Sequence, residues 1–558
     1  MKHTLPIAAV MAALLAPILV PAPVMASPVR PLSPTMLYMR ARAAEAEGDS
    51  RAAGAGFAAL LAREPTNVLL AQRAYSQGIS SGDLPLALRA ARLLEKQNAL
   101  RPDSRLLLAV DAVRAGNWAE ARTHVDKIEQ DRLFSFLVPM LRAWIALGSH
   151  EGDPLALIEA AKAMPIAQPY YADQRALLLI AMGRAEEGVA ALRAGGASRP
   201  LSTRMRMIAA QALASEKQKA RALALLDGDD DGALVAARAA ISAGKRLPEQ
   251  IDGPQAGIAA LFARVGTDFG QQQLAALGLV LGRFSTLLAP QDGSNWLAVV
   301  DLLGSMRRFD DALDALSHVG NDDPLAPTAL TLRVALLNQL GKTDAALQEA
   351  LKATEEPGAG NAEWNRVGDV YMALTKPKEA AQAYGKAVTL AETEKEPAET
   401  VWPLLLQWGA ALDQAGDWAG SKAAMERALA LAPDQALVLN QYGYSQIARR
   451  ENVAQASTLI ERASKLRPDD PAITDSLGWV YFLTGKVSDA VPLLEKAAAG
   501  DPTEPTINEH LGDAYWTSGR LYEARYAWRA ALVTAEDKDR ARLSAKIDTG
   551  LSEATASP

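Results

Sequence analysis

The sequence predicts an all-α protein, a solenoid of stacked antiparallel helix pairs. Near the carboxyl terminus, Leu477-Gly478 with Tyr481 recurs 34 positions later as Leu511-Gly512 with Tyr515. The composition agrees, because the chain is rich in Ala, Leu and Arg and 49% of its residues are hydrophobic, which suits helices. A unit of this length cannot bury its own apolar face, so successive units must stack on one another.

The small and large residues of this unit alternate as in the tetratricopeptide repeat, which it resembles. Three small residues recur in register, namely Gly485 as Gly519, Ala490 as Ala524, and Ala497 as Ala531. Large residues, Leu494 and Trp528, close the second helix. We expect Gly478 to lie where two helix backbones approach too closely for a larger side chain. The resemblance implies a right-handed superhelical solenoid.

Residues 1–26 have the pattern of a signal peptide. Lys2 supplies a positive charge, residues 5–20 are apolar, and Val24-Met25-Ala26 is a small-residue cleavage site. The alternative is an uncleaved membrane anchor, but prolines interrupt the apolar segment, at Pro17, Pro21 and Pro23. We therefore expect an exported, periplasmic protein with no integral membrane segment after signal cleavage.

A linker at 27–33 precedes amino-terminal repeats at 34–226. Gly48, Gly82 and Gly116 mark turns at 34-residue steps, and an alanine follows each turn at the same offset. First helices are expected at 141–147, 177–182 and 209–213, with Gly183 in a turn. Residues 227–292 fit the repeat worst, since Gly253-Pro254 and Pro290 interrupt them. We interpret them as degenerate helical hairpins that could bend the superhelix.

The carboxy-terminal array is expected at 293–536, with a full match to the repeat from Asn361. An insert, Lys395 to Val401, is expected to lengthen one turn, and the unit containing Tyr442-Gly443 has an inter-helix loop one residue longer. Residues 537–558 are expected to form a polar capping helix, Asp537 to Leu551, and a tail that frays.

Composition excludes several function classes. The chain has no Cys, which excludes disulfides, thiol chemistry and cysteine-ligated metals. A net charge of −7 and a pI near 5.5 give no sign of a nucleic-acid partner. The five His residues show no metal-type spacing. His510 lies on a first helix, where it could face a ligand or be structural. We expect no catalytic group, metal or cofactor.

Two short motifs are imperfect matches to ligand-binding loops. Asp227, Asp229, Asp231 and Gly232 match the start of a calcium loop, but Arg238 stands where a bidentate Glu belongs. Gly341-Lys342-Thr343 has part of a phosphate-loop signature, yet Leu336 replaces the required earlier glycine. We interpret both as turns between helices.

Aromatic residues concentrate late in the chain, since seven of ten Trp follow residue 360. First helices line the groove of such a solenoid, through the face turned away from the motif residues. Amides, carboxylates and aromatic rings there would hold an extended peptide. The alternative for Trp479 and Trp516 is packing between repeats. The predicted groove residues are Asn365, Asp369, Asn440, Tyr444, Asp475, Trp479, Phe482, Glu509, Asp513 and Trp516.

Segments at 440–445, 475–479 and 505–516 resemble a family of exported tetratricopeptide proteins of proteobacteria, strongest in alphaproteobacteria. More distant relatives are outer-membrane lipoproteins that act as adaptors, holding a carboxy-terminal processing protease and its cell-wall-hydrolase substrates. The resemblance implies such partners here, while the absence of Cys departs from the lipid-anchored relatives.

Three function classes remain open from the sequence. The first is a non-enzymatic periplasmic scaffold that binds envelope proteins or extended peptides in its groove. The alternative is a glycan or peptidoglycan-binding envelope-assembly factor, which aromatic platforms would also serve. An enzyme is a third class, but the repeats leave only 227–292 unassigned, and that segment lacks plausible catalytic groups.

Overall fold

The computed structural model describes residues 32–195, 201–227, 232–356 and 359–557. The predicted all-α solenoid of helix pairs is confirmed, with thirty α-helices and no strand within these ranges. The predicted signal peptide and the linker up to residue 31 lie outside the described residues. The chain forms two compact units, which meet in the sequence at Val138 and Pro139.

The first unit contains three helix pairs in the predicted register. Gly48, Gly82 and Gly116 each adopt a left-handed backbone with φ of 80°, 83° and 71°, which a glycine adopts without the steric cost of a Cβ. The predicted turns are therefore confirmed. The helices are α1 Pro34–Ala46, α2 Ser50–Arg63, α3 Val68–Ser81, α4 Leu84–Lys96, α5 Pro102–Arg114 and α6 Trp118–Asp131.

The second unit continues the helix pairs to the carboxyl terminus. Its first part comprises α7 Val138–Ser149, α8 Pro154–Ile158, α9 Gln168–Ala181, α10 Ala185–Gly195, α11 Thr203–Ser215, α12 Lys219–Leu225, α13 Gly232–Ser242, α14 Pro254–Gln271, α15 Ala275–Leu288, α16 Gly293–Ser305 and α17 Phe309–Leu316. Its second part comprises α18 Ala326–Gln339, α19 Thr343–Ala353, α20 Asn361–Ala373, α21 Pro377–Thr393, α22 Ala398–Gln414, α23 Trp418–Leu431, α24 Ala436–Ala448, α25 Val453–Leu466, α26 Pro471–Leu483, α27 Val487–Gly500, α28 Pro505–Thr517, α29 Leu521–Thr534 and α30 Asp537–Thr549.

The predicted close approach of helices at Gly478 is present. A Cβ at this position would lie 2.8 Å from Cγ of Leu494 on the paired helix. One repeat later, a Cβ at Gly512 would lie 2.4 Å from the Trp528 ring. In both pairs the first helix thus offers a glycine to a large residue of its second helix, so the two helices pack closely.

The insert at residues 395–401 behaves differently from the prediction. It lengthens α21 and α22 to 17 residues each, and only residues 394–397 remain between them. Helix extension satisfies the backbone hydrogen bonds of the added residues, whereas a longer exposed turn would leave them to water. The longer loop after α24 is confirmed, and Arg450 and Asn452 in it have positive φ.

The middle of the second unit does not stack only on sequence neighbours. Helix α14 contacts α9 as well as α15 and α16, and α13 contacts α18. A Cβ at Gly257 in α14 would lie 2.2 Å from the ring of Trp144, whose Nε1 donates to Gln174 Oε1 at 2.8 Å. Helices far apart in sequence therefore share one core here. No helix in the described ranges is both long and apolar enough to cross a bilayer.

Candidate binding face of the first helices

The first helices of the carboxy-terminal array line one side of the stack. Helix α22 contacts α24, α24 contacts α26, and α26 contacts α28. No contact of comparable extent joins successive second helices between α19 and α29 in the described residues. The first helices therefore lie on the shorter, inner side. We call the surface that carries the fifth, ninth and twelfth residues of α20, α24, α26 and α28 the inner face, and all ten predicted groove residues occupy these positions.

On α20 the inner face presents an amide and a carboxylate. The Asn365 side chain is partly buried, and its Oδ1 has no hydrogen-bond partner among the described residues. Asp369 is exposed and accepts hydrogen bonds from the Tyr384 hydroxyl at 2.7 Å and from Gln407 Nε2 at 3.2 Å. Neighbouring groups partly desolvate the carboxyl group and so raise the pKa of Asp369, although the Tyr384 hydrogen bond and Arg366 oppose the rise. The α20 end of the inner face therefore offers hydrogen-bond acceptors.

On α24 the same positions carry Asn440 and Tyr444, both partly exposed. Oδ1 of Asn440 is buried and without a partner in the described structure, as in Asn365. Burial and the nearby carboxylates Asp475 and Glu509 raise the pKa of Tyr444 to about 12, so its hydroxyl is a neutral donor at physiological pH. The two first helices thus repeat an unsatisfied amide at their fifth residue.

On α26 the structure corrects the prediction that Asp475 and Trp479 are open to a ligand. Trp479 is 1% exposed and stacks on His510 with ring centroids 3.9 Å apart. It also stacks on Phe482 at 4.8 Å. Asp475 is buried and accepts from His510 Nδ1 at 2.9 Å. The alternative of packing between repeats is therefore the observed one for Trp479, and His510 is structural.

On α28 the inner face is covered by the chain's own carboxyl terminus. Glu509 and Asp513 are buried. Glu509 accepts from Arg542 Nε at 2.9 Å and Nη2 at 2.8 Å, and from Lys546 Nζ at 2.7 Å. Burial alone would raise the pKa of Glu509, but Arg542 and Lys546 lower it to about 2. The prediction that Glu509 and Asp513 face a ligand is therefore also wrong, since both carboxylates bind the capping helix α30.

The tail beyond α30 packs against α28, so the prediction that it frays is wrong up to Ser557. Ser557 Oγ donates to Asp513 Oδ2 at 2.7 Å. Gly550 lies against Trp516, because a Cβ there would be 2.1 Å from the ring. Trp516 remains partly exposed, as does Phe482. The open part of the inner face therefore ends near Tyr444.

Sequence reasoning missed Arg542 and Lys546 as partners of this face. In the sequence, Arg542 and Lys546 lie four positions apart, as Glu509 and Asp513 do on α28, and this shared spacing could have identified them. Side chains four apart share one face of a helix, so two such pairs of opposite charge can meet. The capping helix itself is confirmed.

Of the two imperfect motifs, the one at Gly341 lies in a turn, while the one that begins at Asp227 is described only in part. Arg238 forms an ion pair with Asp227, whereas Asp229 and Asp231 lie outside the described residues. Gly341 adopts a left-handed backbone between α18 and α19, and Lys342 pairs with Asp310 at 2.8 Å. Within the described ranges, no group of three or more His, Asp or Glu side chains is arranged to hold a metal ion.

A buried acidic cluster lies at the amino terminus of α16. Arg204 donates to Asp292 Oδ2 at 2.6 Å and to Asn295 Oδ1 at 2.8 Å. Glu249 is fully buried, and neither of its carboxylate oxygens has a hydrogen-bond partner in the described residues. Burial, together with Asp292 and Asp323, raises the pKa of Glu249 to about 8. Burial also raises the pKa of Asp323.

Comparison with known families supports the repeat assignment. Residues 448–505 and 476–542 match the tetratricopeptide repeat family, and so do residues 364–394. A curated TPR repeat-containing protein of Pseudomonas aeruginosa is 31% identical over 180 residues, which is 32% of this chain. The chain spans 29% of that relative's length. The helix pairs of these segments are similar to tetratricopeptide repeats.

Solved structures with the same repeat are similar at low identity. A thermophilic TPR protein of Thermus thermophilus is 21% identical, with a TM-score of 0.29 over 33% of this chain and 98% of that one. The Cut9–Hcn1 hetero-tetramer of APC/C is 16% identical, with a TM-score of 0.36 over 92% and 89%. YrrB, described as a TPR protein with an unusual peptide-binding site, is 19% identical, with a TM-score of 0.25 over 32% and 88%.

Proposed function

We propose that this chain is a non-enzymatic scaffold of the cell envelope that binds an extended segment of a partner protein on the inner face between α20 and α24. The supporting observation is the pair of buried, unpartnered Oδ1 atoms of Asn365 and Asn440. A buried acceptor without a partner costs about 1–3 kcal/mol. Both side chains are partly exposed, so a rotation of each amide group would present it to the backbone of a bound peptide and satisfy the acceptor.

The intervening helix provides an apolar floor between the two amides. Leu406 and Ala410 of α22 stand at the same offsets from Gly409 as Asn365 and Asp369 do from Gly368, and both are partly exposed. With neighbouring first helices ~10 Å apart, Asn365 and Asn440 are separated by about 20 Å, the length of about six extended residues. The site therefore suits a short linear segment with an apolar centre.

The donors and acceptors bordering this floor suit a peptide backbone. The Asp369 carboxylate can accept a hydrogen bond from a peptide N–H, and the neutral Tyr444 hydroxyl can donate one to a peptide carbonyl. Beyond Tyr444 the face is filled by Trp479, His510 and the cap. A ligand that enters from α20 therefore ends at α24.

The exported location and the class of partner rest on sequence. Residues 1–26 have the pattern of a signal peptide. The resemblance to exported proteobacterial proteins makes a carboxy-terminal processing protease and cell-wall hydrolases the first partners to examine. Association with the outer membrane would then come through a partner, since the chain has no Cys to lipidate.

A glycan-binding role has less support than peptide binding. Glycan binding would require the rings of Trp479 and Trp516 to be exposed as platforms. Trp479 is buried, and Gly550 packs on the ring of Trp516. The polar groups open between α20 and α24 are two amides, a carboxylate and one tyrosine, which suit a peptide backbone.

Site-specific photocrosslinking in the native bacterium tests the proposal. A photoreactive residue replaces Tyr444, and a matched control replaces Thr458, which is exposed on the second helix of the same pair. We expect protein adducts from position 444 and none from 458, with lower yield when Asn365→Ala and Asn440→Ala are added. Adducts of glycan alone would overturn peptide binding, and equal labelling from both positions would overturn the site.

A further inference from the structure

The outer side of the last repeat carries an exposed apolar stripe. Tyr522, Val533 and Tyr526 are 82%, 78% and 68% exposed, the three highest values among the large hydrophobic residues of the described chain. All three lie on α29. Their coincidence on one helix indicates a surface that binds something.

The stripe has the spacing of a helix–helix seam. Tyr522, Tyr526, Arg529 and Val533 follow one another at intervals of four, three and four residues, which places them on one face of the helix. The stripe is about 16 Å long at 1.5 Å per residue. A second helix laid along α29 would contact all four side chains, so the seam fits a helix better than an extended strand.

The repeat itself supplies the comparison that shows these residues are not needed for the fold. In α27, at the same register, the chain has Ser488, Pro492, Glu495 and Ala499. In α25 it has Ala454, Thr458, Glu461 and Lys465. The outer positions of preceding repeats are thus small or polar. Only α29 among these three helices has replaced them with two tyrosines, an arginine and a valine.

The charge in the stripe indicates which partner it accepts. The third position is Glu in α25 and α27 but Arg529 in α29. The Arg529 guanidinium lies 5.7 Å from the centroid of the Tyr526 ring. No carboxylate pairs with it among the described residues, and Glu523 is taken by Arg520 at 3.1 Å. The stripe therefore contains a cation that has no anionic partner among the described residues.

We propose that this stripe docks an amphipathic helix of a partner protein, whose apolar seam covers Tyr522, Tyr526 and Val533 and whose central carboxylate pairs with Arg529. A second copy of α29 would bring no carboxylate to Arg529. The surface is separate from the inner face, so the chain would hold two partners at once. A contact along three helical turns buries little surface area, so the complex belongs to the transient class of interfaces.

Two synthetic helical peptides of about 20 residues, three heptads with leucine at the seam positions, test this proposal. They differ only in a central seam residue, Glu or Lys. Binding to the chain from residue 27 is measured by fluorescence anisotropy. We expect the Glu peptide to bind about tenfold more tightly than the Lys peptide, and Arg529→Glu to reverse the order.

A repeat-matched variant controls for folding. Tyr522→Ser, Tyr526→Thr and Val533→Ala introduce residues that α27 or α25 already carries at these positions, so thermal melts should be unchanged. This variant should bind neither peptide, whereas Asn365→Ala with Asn440→Ala should bind as the native chain does. The second comparison separates this surface from the inner face.

Four outcomes would overturn the proposal. These are no binding of either peptide to the native chain, equal binding of both peptides, full binding by the repeat-matched variant, or loss of binding in the inner-face variant. Sedimentation of the native chain as a dimer that the repeat-matched variant abolishes would assign the stripe to self-association. Binding to phosphatidylglycerol vesicles that the same variant abolishes would assign it to a lipid surface.

Discussion

Lys546 Nζ lies 2.8 Å from both carboxylate oxygens of Asp513, and the Lys546 side chain is completely buried. The same ammonium contacts Glu509 Oε1 at 2.7 Å. One cation on the capping helix α30 therefore joins two carboxylates that are one turn apart on α28. This contact closes the fifth and ninth positions of the inner face of α28, so these are not available to a ligand.

Lys546→Met should destabilise the cap. The substitution keeps the length and apolar stem of the side chain but leaves Asp513 buried without its cation. Loss of one partner of a buried ion pair costs about 3–5 kcal/mol. Hydrogen exchange of the α28 and α30 amides should accelerate, and the melting temperature should fall.

The control for this prediction is Lys538→Met on the same helix, where the lysine is 75% exposed beside Glu536. Surface substitutions of this kind change stability within about 0.5 kcal/mol. Equal exchange rates in the two variants would show that the Lys546 contacts do not hold the cap.

Glu249 should make the protein less stable as pH rises. Its pKa is raised from 4.5 to about 8, so between these values the folded chain keeps a proton that the unfolded chain releases. The unfolding free energy therefore falls as pH increases from about 4.5 to about 8 and is level above that range. The loss amounts to a few kcal/mol, since one pKa unit corresponds to about 1.4 kcal/mol.

Glu249→Gln should remove this pH dependence and raise stability at pH 8. Denaturant titrations at pH 5 and pH 8 measure the difference, with Glu355→Gln as an exposed control. If the native chain and Glu249→Gln lose the same stability between the two pH values, the carboxyl group is not held neutral by its burial.

Gly478→Leu should destabilise the packing between the paired helices α26 and α27. A Cβ at Gly478 already lies 2.8 Å from Leu494, and a leucine would extend further into it. Overpacking of this kind costs about 1–3 kcal/mol or more. Gly304→Ala is the control, because nothing lies within 4 Å of the Cβ it would add. Equal melting temperatures for both variants would contradict the helix register.

Trp479→Ala should lower the free energy of unfolding. Asn365→Ala with Asn440→Ala should instead weaken the binding of a ligand to the inner face. Truncating a buried tryptophan costs about 3–5 kcal/mol. The asparagine substitutions relieve the cost of two unsatisfied acceptors, so they should not lower the melting temperature. Thermal melts combined with crosslinking yields from position 444 separate the two effects. A stable Trp479→Ala chain with lost crosslinking would place the ligand on Trp479 after all.

The repeat register allowed the local features to be predicted. Gly48, Gly82 and Gly116 were identified as turns, and Gly478 as a close contact, because each lies at a fixed position of a 34-residue pattern. The insert at 395–401 was predicted less well. The added length is divided between α21, which runs to Thr393, and α22, which begins at Ala398, because helix length depends on whether a neighbouring helix is there to pack against.

The periodicity could not show which of the inner-face positions stay open. Trp479 and Asn440 occupy the same side of successive first helices, yet Trp479 is covered by His510 of the next repeat. Glu509 is covered by Arg542, which lies 33 residues later in the chain. Such coverings depend on contacts between units, which a pattern within one unit does not contain.

The sequence by itself determined the helix-pair unit, its turns, and the face of each first helix that points away from the paired helix. These follow from backbone conformation and side-chain size within one repeat. The tertiary structure decided that α26 and α28 are closed, that α20 to α24 are open, and that α14 packs on both α9 and α16. Burial is set by the segments that meet in space, and in this chain those segments come from different repeats.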